Sequence, residues 1–387
     1  MKLALLMGNR FNPWHLQGLA RLHDRAQVTA FRAESQIQRH FEERDDGSVQ
    51  FAQERIFFDT QAGPWWRRFR NLLGERYSHR EPRILPFSDR LKGFDLIHTW
   101  ELFPDWSGEA ARARRQYGVP LVTTVWDLIP FNMESKPYLK ANKQAVASAT
   151  DRFIVYTERS RRTLHMEGID DSRIALVPPG ADTSAFCEGE ADRKSHGLHE
   201  DAFVILFVGW FLPRKGIDFL LMAVRDAMDH GVKQPIQVVM IGAGAGRDRV
   251  EALIRRLRLQ DQCVFTGAQP YNAMPGWFRC CDAFVLPSIA TETWQEQFGM
   301  SLIEAMACGM PCIATRSGAI PEIAGDAALL VQPNDFGELS AAMIRLMHES
   351  ALRAELGAAA RHRVHTHYSL DIHTEALWSA YREALES

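Results

Sequence analysis

The chain of 387 residues has no apolar run long enough to cross a membrane. Its longest, residues 203–212, is half of the roughly 20 residues that a spanning helix needs. Cysteine is scarce. There are six, the first at Cys187, and none forms a C-x-x-C pair. That excludes a disulfide-stapled secreted fold and a zinc finger, and the thiols read as buried or incidental groups in a reducing compartment. No charge dominates: 45 Lys and Arg stand against 48 Asp and Glu, a net −3, so nothing global points to nucleic acid. There is no internal repeat and no low-complexity tract. Residues 1–7 are apolar, but Gly8-Asn9-Arg10 follows at once without a small-residue cleavage site. The start therefore reads as a first strand, not a signal peptide, and the chain as cytoplasmic.

What remains is a soluble globular composition, 46% hydrophobic and 24% charged, at a length that suits two or three domains. Short apolar runs alternate with helical periods. Strands are expected at 3–7, 95–98, 120–125, 153–156 and 174–177, with helices opening at 16 and covering 107–117 and 158–167. Ser107 is a plausible N-cap and Gly118 a plausible stop. The stretch 187–200, CEGEADRKSHGLHE, is polar and charge-dense and reads as a linker. The alternation then restarts. Strands are expected at 204–208, 237–241, 264–265, 283–286, 312–314 and 328–331, with helices at 219–230, 249–258 and 301–308. This pattern predicts two α/β domains with parallel sheets and a cleft between them, with ligands beyond the carboxyl ends of the strands.

Residues 296–309, EQFGMSLIEAMACG, are the most informative segment. A strand ends at Pro287-Ser288, a polar loop follows, and Phe298-Gly299 leads into an apolar helix that stops at Gly309. Glycine at a helix start lets backbone N–H groups approach a ligand, and the dipole there favours an anion or a ring of hydroxyls. Glu296 precedes this helix. Glu304 lies inside it among Leu302, Ile303, Ala305, Met306 and Ala307, where a carboxylate needs a partner. Vicinal ribose hydroxyls would serve; so would an internal Arg.

The run Glu296 to Glu304 resembles the E-x7-E pattern of family 4 glycosyltransferases, which have the GT-B fold of two Rossmann-like domains with parallel sheets facing across a cleft. Other segments follow in the family's order. Leu176-Val177-Pro178-Pro179-Gly180-Ala181-Asp182 resembles the segment before the linker. Residues 207–216, FVGWFLPRKG, resemble the phosphate-binding loop. Val239 to Gly244, Cys281 to Ser288 and Ser317 to Ile323 complete the set. The resemblance is strong over 150–335 and weaker over 1–150. It implies an N-terminal acceptor-side domain at 1–187, a linker at 188–200, a nucleotide-sugar domain at 201–365, and a last helix at 366–387 that returns to the first domain. In that helix Leu370, Ile372, Leu377, Trp378, Tyr381 and Leu385 are the expected packing residues.

Carried over residue by residue, the resemblance makes Glu304 the ribose ligand and Glu296 the contact to donor-sugar hydroxyls, beside backbone N–H groups of Phe298, Gly299 and Met300. Lys215 would neutralise the leaving diphosphate. Gly209, Gly242 and Glu322 fall on the donor side. Many members carry Arg directly after the loop's first glycine. Here that position is Trp210, and Arg214 is the remaining second cation. The family often carries His after the strand at 122–125; here Trp126-Asp127 stands instead, and Asp127 is either a sugar contact or a turn cap. His98 is a further cleft candidate, with a structural role as the alternative. Residues 242–246 do not match G-x-G-x-x-G and read as a tight turn near the phosphates. The loop at 8–18 lacks the family's paired glycines and offers Arg10 and Asn12 on the acceptor side.

Residues 64–83 hold six arginines and four aromatics against two glutamates. They suit an anionic membrane surface, or equally a solvated helix with one buried face. The expected activity is retaining transfer from a GDP- or UDP-sugar to a hydroxyl acceptor in envelope polysaccharide or glycolipid assembly, without a cofactor. The chain has no Asp-x-Asp motif, so no metal site is expected. An epimerase or a non-catalytic binding protein of the same fold is the alternative.

Overall fold

The structure is a computed structural model that describes residues 1–8, 13–34, 51–57 and 84–386. Arg10, Asn12 and the 64–83 stretch lie outside the described residues.

The first half runs β1 Lys2–Gly8, α1 Pro13–Ala20, β2 Gln27–Glu34, β3 Ala52–Phe57, β4 Leu96–Trp100, α2 Asp105–Tyr117, β5 Leu121–Val125, α3 Pro137–Ala149, β6 Arg152–Val155, α4 Glu158–Met166 and β7 Ile174–Leu176. Its strands form one parallel sheet in the order β3-β2-β1-β4-β5-β6-β7. The second half runs β8 Phe203–Val208, α5 Ile217–Asp229, β9 Ile236–Ile241, α6 Arg247–Leu257, β10 Cys263–Gly267, α7 Met274–Arg279, β11 Ala283–Leu286, α8 Met300–Ala307, β12 Cys312–Thr315, α9 Ile320–Ala324 and β13 Leu329–Val331. Its parallel sheet has the order β10-β9-β8-β11-β12-β13. Three helices close the chain: α10 Phe336–His348, α11 Ser350–His367 and α12 Leu370–Glu386.

The central strands read as unbroken apolar runs because helices cover both of their faces. β8, FVILFV, is buried along nearly its whole length. β4 and β5 are buried throughout as well, although they carry His98, Thr99, Thr123 and Thr124. Both sheets reverse direction beside their first strand, which opens a crevice at the carboxyl ends of β8 and β11. The strands β2 and β3 were not expected from the sequence; β3 is mostly exposed and carries Gln53, Glu54 and Arg55 in an edge position.

Helix α2 starts two residues before the expected cap, after Pro104. Ser107 is buried within its first turn, where Oγ donates to the Trp100 carbonyl at 3.1 Å. Gly118 ends the helix in the left-handed conformation, φ +73°. The 188–200 stretch holds no helix or strand. Arg193 within it pairs with Asp282 at 2.7 Å and donates to the Cys280 carbonyl at 3.1 Å, so it runs along the second half.

Helix α12 crosses back to the first half. Ala181 and the Tyr368–Leu370 turn exchange backbone hydrogen bonds at 2.8 and 2.9 Å. Arg25 pairs with Glu375 at 2.9 Å. Leu370, Leu377 and Tyr381 are buried, spaced at seven and four residues on one face. Ile372 falls on the opposite face and Leu385 in the last turn, and both are exposed; Trp378 is partly covered by Arg25. One apolar cluster joins the halves, including Leu3, Trp126, Tyr156, Phe298, Leu302 and Tyr381.

The loops after β8 and β9 meet backbone to backbone. Gly242 has φ +144°, and a Cβ there would lie 1.9 Å from the Gly209 carbonyl oxygen. Gly242→Ala is therefore expected to lower unfolding stability by at least about 1–3 kcal/mol, read by chemical denaturation with Gly276→Ala, a site without positive φ and with only ordinary contacts, as the control.

Candidate active site at the carboxyl ends of the second sheet

Gly209 follows β8 and Pro287-Ser288 follows β11, and these two strands are neighbours in the sheet. The loop from Gly209 closes in a 3-10 turn, Pro213–Lys215, before α5. Gly216 joins them at φ +69°, and a Cβ there would lie 1.8 Å from the Pro287 carbonyl oxygen. Only glycine permits this approach, and it brings Lys215 against the β11 loop. Lys215 Nζ lies 2.7 Å from Glu296 Oε2, and Ser288 Oγ donates to the same oxygen at 2.5 Å. Both ions of the pair are largely buried. The Arg214 guanidinium and the Lys215 ammonium both lie over the ring of Trp294, at 4.7 and 5.0 Å. Trp210, next to Gly209, is 44% exposed in the same loop.

Phe298 is buried against Tyr156 and Tyr368, at 6.2 and 5.7 Å between ring centroids. That packing fixes the start of α8. Gly299 is its N-cap, no side chain caps it, and Met300 is its first residue. The helix therefore presents backbone N–H groups and the positive end of its dipole beside Glu296.

Glu304 is buried one turn further into α8. Of the two partners open to it from the sequence, the internal Arg is absent among the described residues. Its Oε1 instead accepts from the Tyr271 hydroxyl at 2.9 Å. Burial raises the carboxyl from its ordinary 4.5 to about 7, with the Tyr271 hydrogen bond acting in the opposite direction. Tyr271 itself is held well above its ordinary value, mainly by burial and then by the Glu304 charge.

Other sequence candidates sit elsewhere. His98 is buried beneath α12: Nδ1 shares a hydrogen bond with the Tyr381 hydroxyl and Nε2 with Thr124 Oγ1, both at 2.7 Å. Its ring stacks on Trp100 at 3.8 Å, and burial, then His373, keeps it neutral well below the usual range. Both nitrogens are thus used within the core. Asp127 Oδ1 accepts from the Ile129 N–H at 3.1 Å, so it caps its own turn. It also lines a small cavity with Glu101, Lys143 and Glu167, and burial raises its carboxyl. Glu322 accepts from the backbone N–H groups of Glu158 and Arg159, at 2.7 and 3.2 Å. Its carboxylate caps α4 across the two halves. Gly209 and Gly242 pack against each other as described. Tyr271 and Trp294 sit in no spacing pattern, and the 281–288 segment does not show that Ser288 meets Glu296. Among the described residues no group of three or more His, Cys, Asp or Glu is placed to hold a metal ion, and no helix is long and apolar enough to cross a membrane.

Because the folded Glu304 carboxyl titrates above its unfolded value, the native state binds the extra proton between about pH 4.5 and 7. Its contribution is present at low pH and is lost as pH rises through about 7, a change on the order of 3 kcal/mol. Glu304→Gln should flatten that part of the stability–pH curve, measured by denaturant unfolding from pH 4.5 to 8.

Two family models match the chain: "Glycosyltransferase Family 4" over residues 15–185 and "Glycosyl transferases group 1" over residues 188–363. The D-inositol 3-phosphate glycosyltransferase of Acidothermus cellulolyticus is 30% identical over 315 residues, covering 76% of this chain and 68% of that protein. That of Rhodococcus erythropolis is 31% identical over 310 residues, covering 75% and 68%. Among solved structures, Anabaena HepE in complex with UDP and glucose has a TM-score of 0.77 at 17% identity, covering 99% of each chain. Sucrose-phosphate synthase from Thermosynechococcus elongatus has 0.74 at 21% identity, covering 99% of this chain and 98% of its own. The likeness to the structures concerns the fold, two parallel-sheet α/β domains; the sequence matches concern descent. Together they show that the chain belongs to the family 4 glycosyltransferases and has the GT-B fold.

Proposed function

We propose that this glycosyltransferase moves a sugar from a nucleoside diphospho-sugar to a hydroxyl acceptor with retention of configuration. The observation that carries the reading is the Lys215–Glu296–Ser288 group at the β8/β11 crevice, with Glu304 buried eight residues after Glu296. Anabaena HepE, of the same fold, is described in complex with UDP, UDP-glucose and glucose, which supports a donor of this class.

On this reading the bond from the anomeric carbon to the diphosphate oxygen breaks, and the acceptor oxygen forms its bond on the same face. The acceptor proton passes to the departing phosphate oxygen, so no carboxylate nucleophile is required. Lys215 and Arg214 stabilise the charge that grows on the diphosphate, in the place of a metal ion. Glu296 accepts from hydroxyls of the transferred sugar, and the first N–H groups of α8 lie beside it. Glu304 accepts from the ribose hydroxyls. Closing the cleft excludes water and limits hydrolysis of the donor. The relatives' D-inositol 3-phosphate supports a polyhydroxylated acceptor. The setting we favour is envelope polysaccharide or glycolipid assembly, with residues 64–83 as a contact to an anionic membrane surface.

Glu296→Ala is expected to lower kcat by roughly 10²–10³; turnover within threefold of wild type would remove Glu296 from the site. In thermal unfolding, UDP or GDP at 100 times its Kd should add about 2.7 kcal/mol to apparent stability. Glu304→Ala should abolish that shift. A ribose donates to the ionised carboxylate, so wild-type nucleotide affinity should rise with pH through about 7, and Glu304→Gln should lose this dependence. No shift with any nucleoside diphosphate would overturn the donor assignment.

A further inference from the structure

The polar loop between Ser288 and Gly299 carries Trp294, whose ring lies over both candidate diphosphate cations. The chain on each side of this ring is tied to the first half. Asn132 Nδ2 donates to the Thr293 carbonyl at 3.3 Å, and Arg159 Nη2 donates to Gln295 Oε1 at 2.8 Å. The Trp294 carbonyl accepts from the Thr291 N–H at 2.8 Å, which closes the 291–294 segment on itself. Arg159 is itself held at a second point, through its N–H to Glu322.

Arg214 and Lys215 are adjacent like charges and repel each other. A carboxylate on each would hold them, but would also neutralise the charge that an incoming anion needs. The negative face of an indole ring attracts both cations without adding a countercharge. Glu296 already engages Lys215, so a second acid there would cancel the site.

We propose that Trp294 is a positioning residue for the Arg214–Lys215 cation pair, and that Asn132 and Arg159 of the first half hold it in place. This rests on reading those cations as the diphosphate site. Its consequence is that affinity for a diphosphate depends on two residues of the other half.

The test is calorimetric titration of the full chain with inorganic pyrophosphate and with UDP, alongside thermal unfolding of each variant. Trp294→Leu, which keeps apolar bulk without a ring, should weaken pyrophosphate binding about tenfold, and Trp294→Phe should recover most of it. The double variant Asn132→Ala/Arg159→Gln should weaken it several-fold with both cations untouched. Trp294→Ala, if folded, should match Trp294→Leu. Wild-type affinity in Trp294→Leu, equal losses in Trp294→Leu and Trp294→Phe, or wild-type affinity in the double variant would overturn the inference alone. A wild-type chain that binds neither pyrophosphate nor UDP would overturn the diphosphate reading and this inference with it.

Discussion

The site is organised around one buried ion pair, Lys215 with Glu296. Such a pair is a poor source of stability, because taking both ions out of water costs about as much as their attraction returns. Its geometry instead constrains everything near it. Lys215 reaches Glu296 only because Gly216 lets the backbone of the β8–α5 loop touch Pro287. Ser288 is placed to share the same carboxylate oxygen because it follows β11 directly. Removing either ion would leave the other buried without compensation.

The two halves meet through interactions of different kinds. Helix α12 fastens its half of the chain by backbone pairing at Ala181 and by burying Tyr381 over His98. Glu322 caps α4 from the opposite half, meeting N–H groups that would otherwise need water. The apolar cluster through Tyr156, Phe298 and Tyr368 runs directly behind the start of α8. The same residues that join the halves therefore also fix the helix end beside Glu296. A movement of one half against the other would be felt at the site through these contacts.

The fold was largely legible. Unbroken apolar runs such as 204–208 and 283–286 lie within β8 and β11, because strands buried on both faces need no polar positions. The edge was less so: β3 carries Gln53, Glu54 and Arg55 along a mostly exposed face, and β2 beside it mixes Gln27, Thr29 and Arg32 with its buried Val28, Ala30 and Phe31. The N-cap of α2 was misplaced because Ser107, a good cap in isolation, found tertiary partners in Thr99 and Trp100. Among the candidate residues, Glu296, Lys215 and Glu304 meet in or beside one crevice. His98 does not, since a lone His after a strand looks the same whether it faces a cleft or a covering helix.

By itself, the sequence determined the alternation of strands and helices and the segment in which Glu296 and Glu304 stand. These depend on local periodicity and on ordered motifs, both carried by neighbours in the chain. Only the tertiary structure decided which side chains those groups meet. Tyr271 on Glu304, Ser288 on Glu296 and Trp294 over Arg214 and Lys215 are contacts between separate loops. So is the use of Glu322 as a helix cap. A carboxylate carries no local mark of its partner, because hydrogen bonds act over about 3 Å in space whatever the separation along the chain.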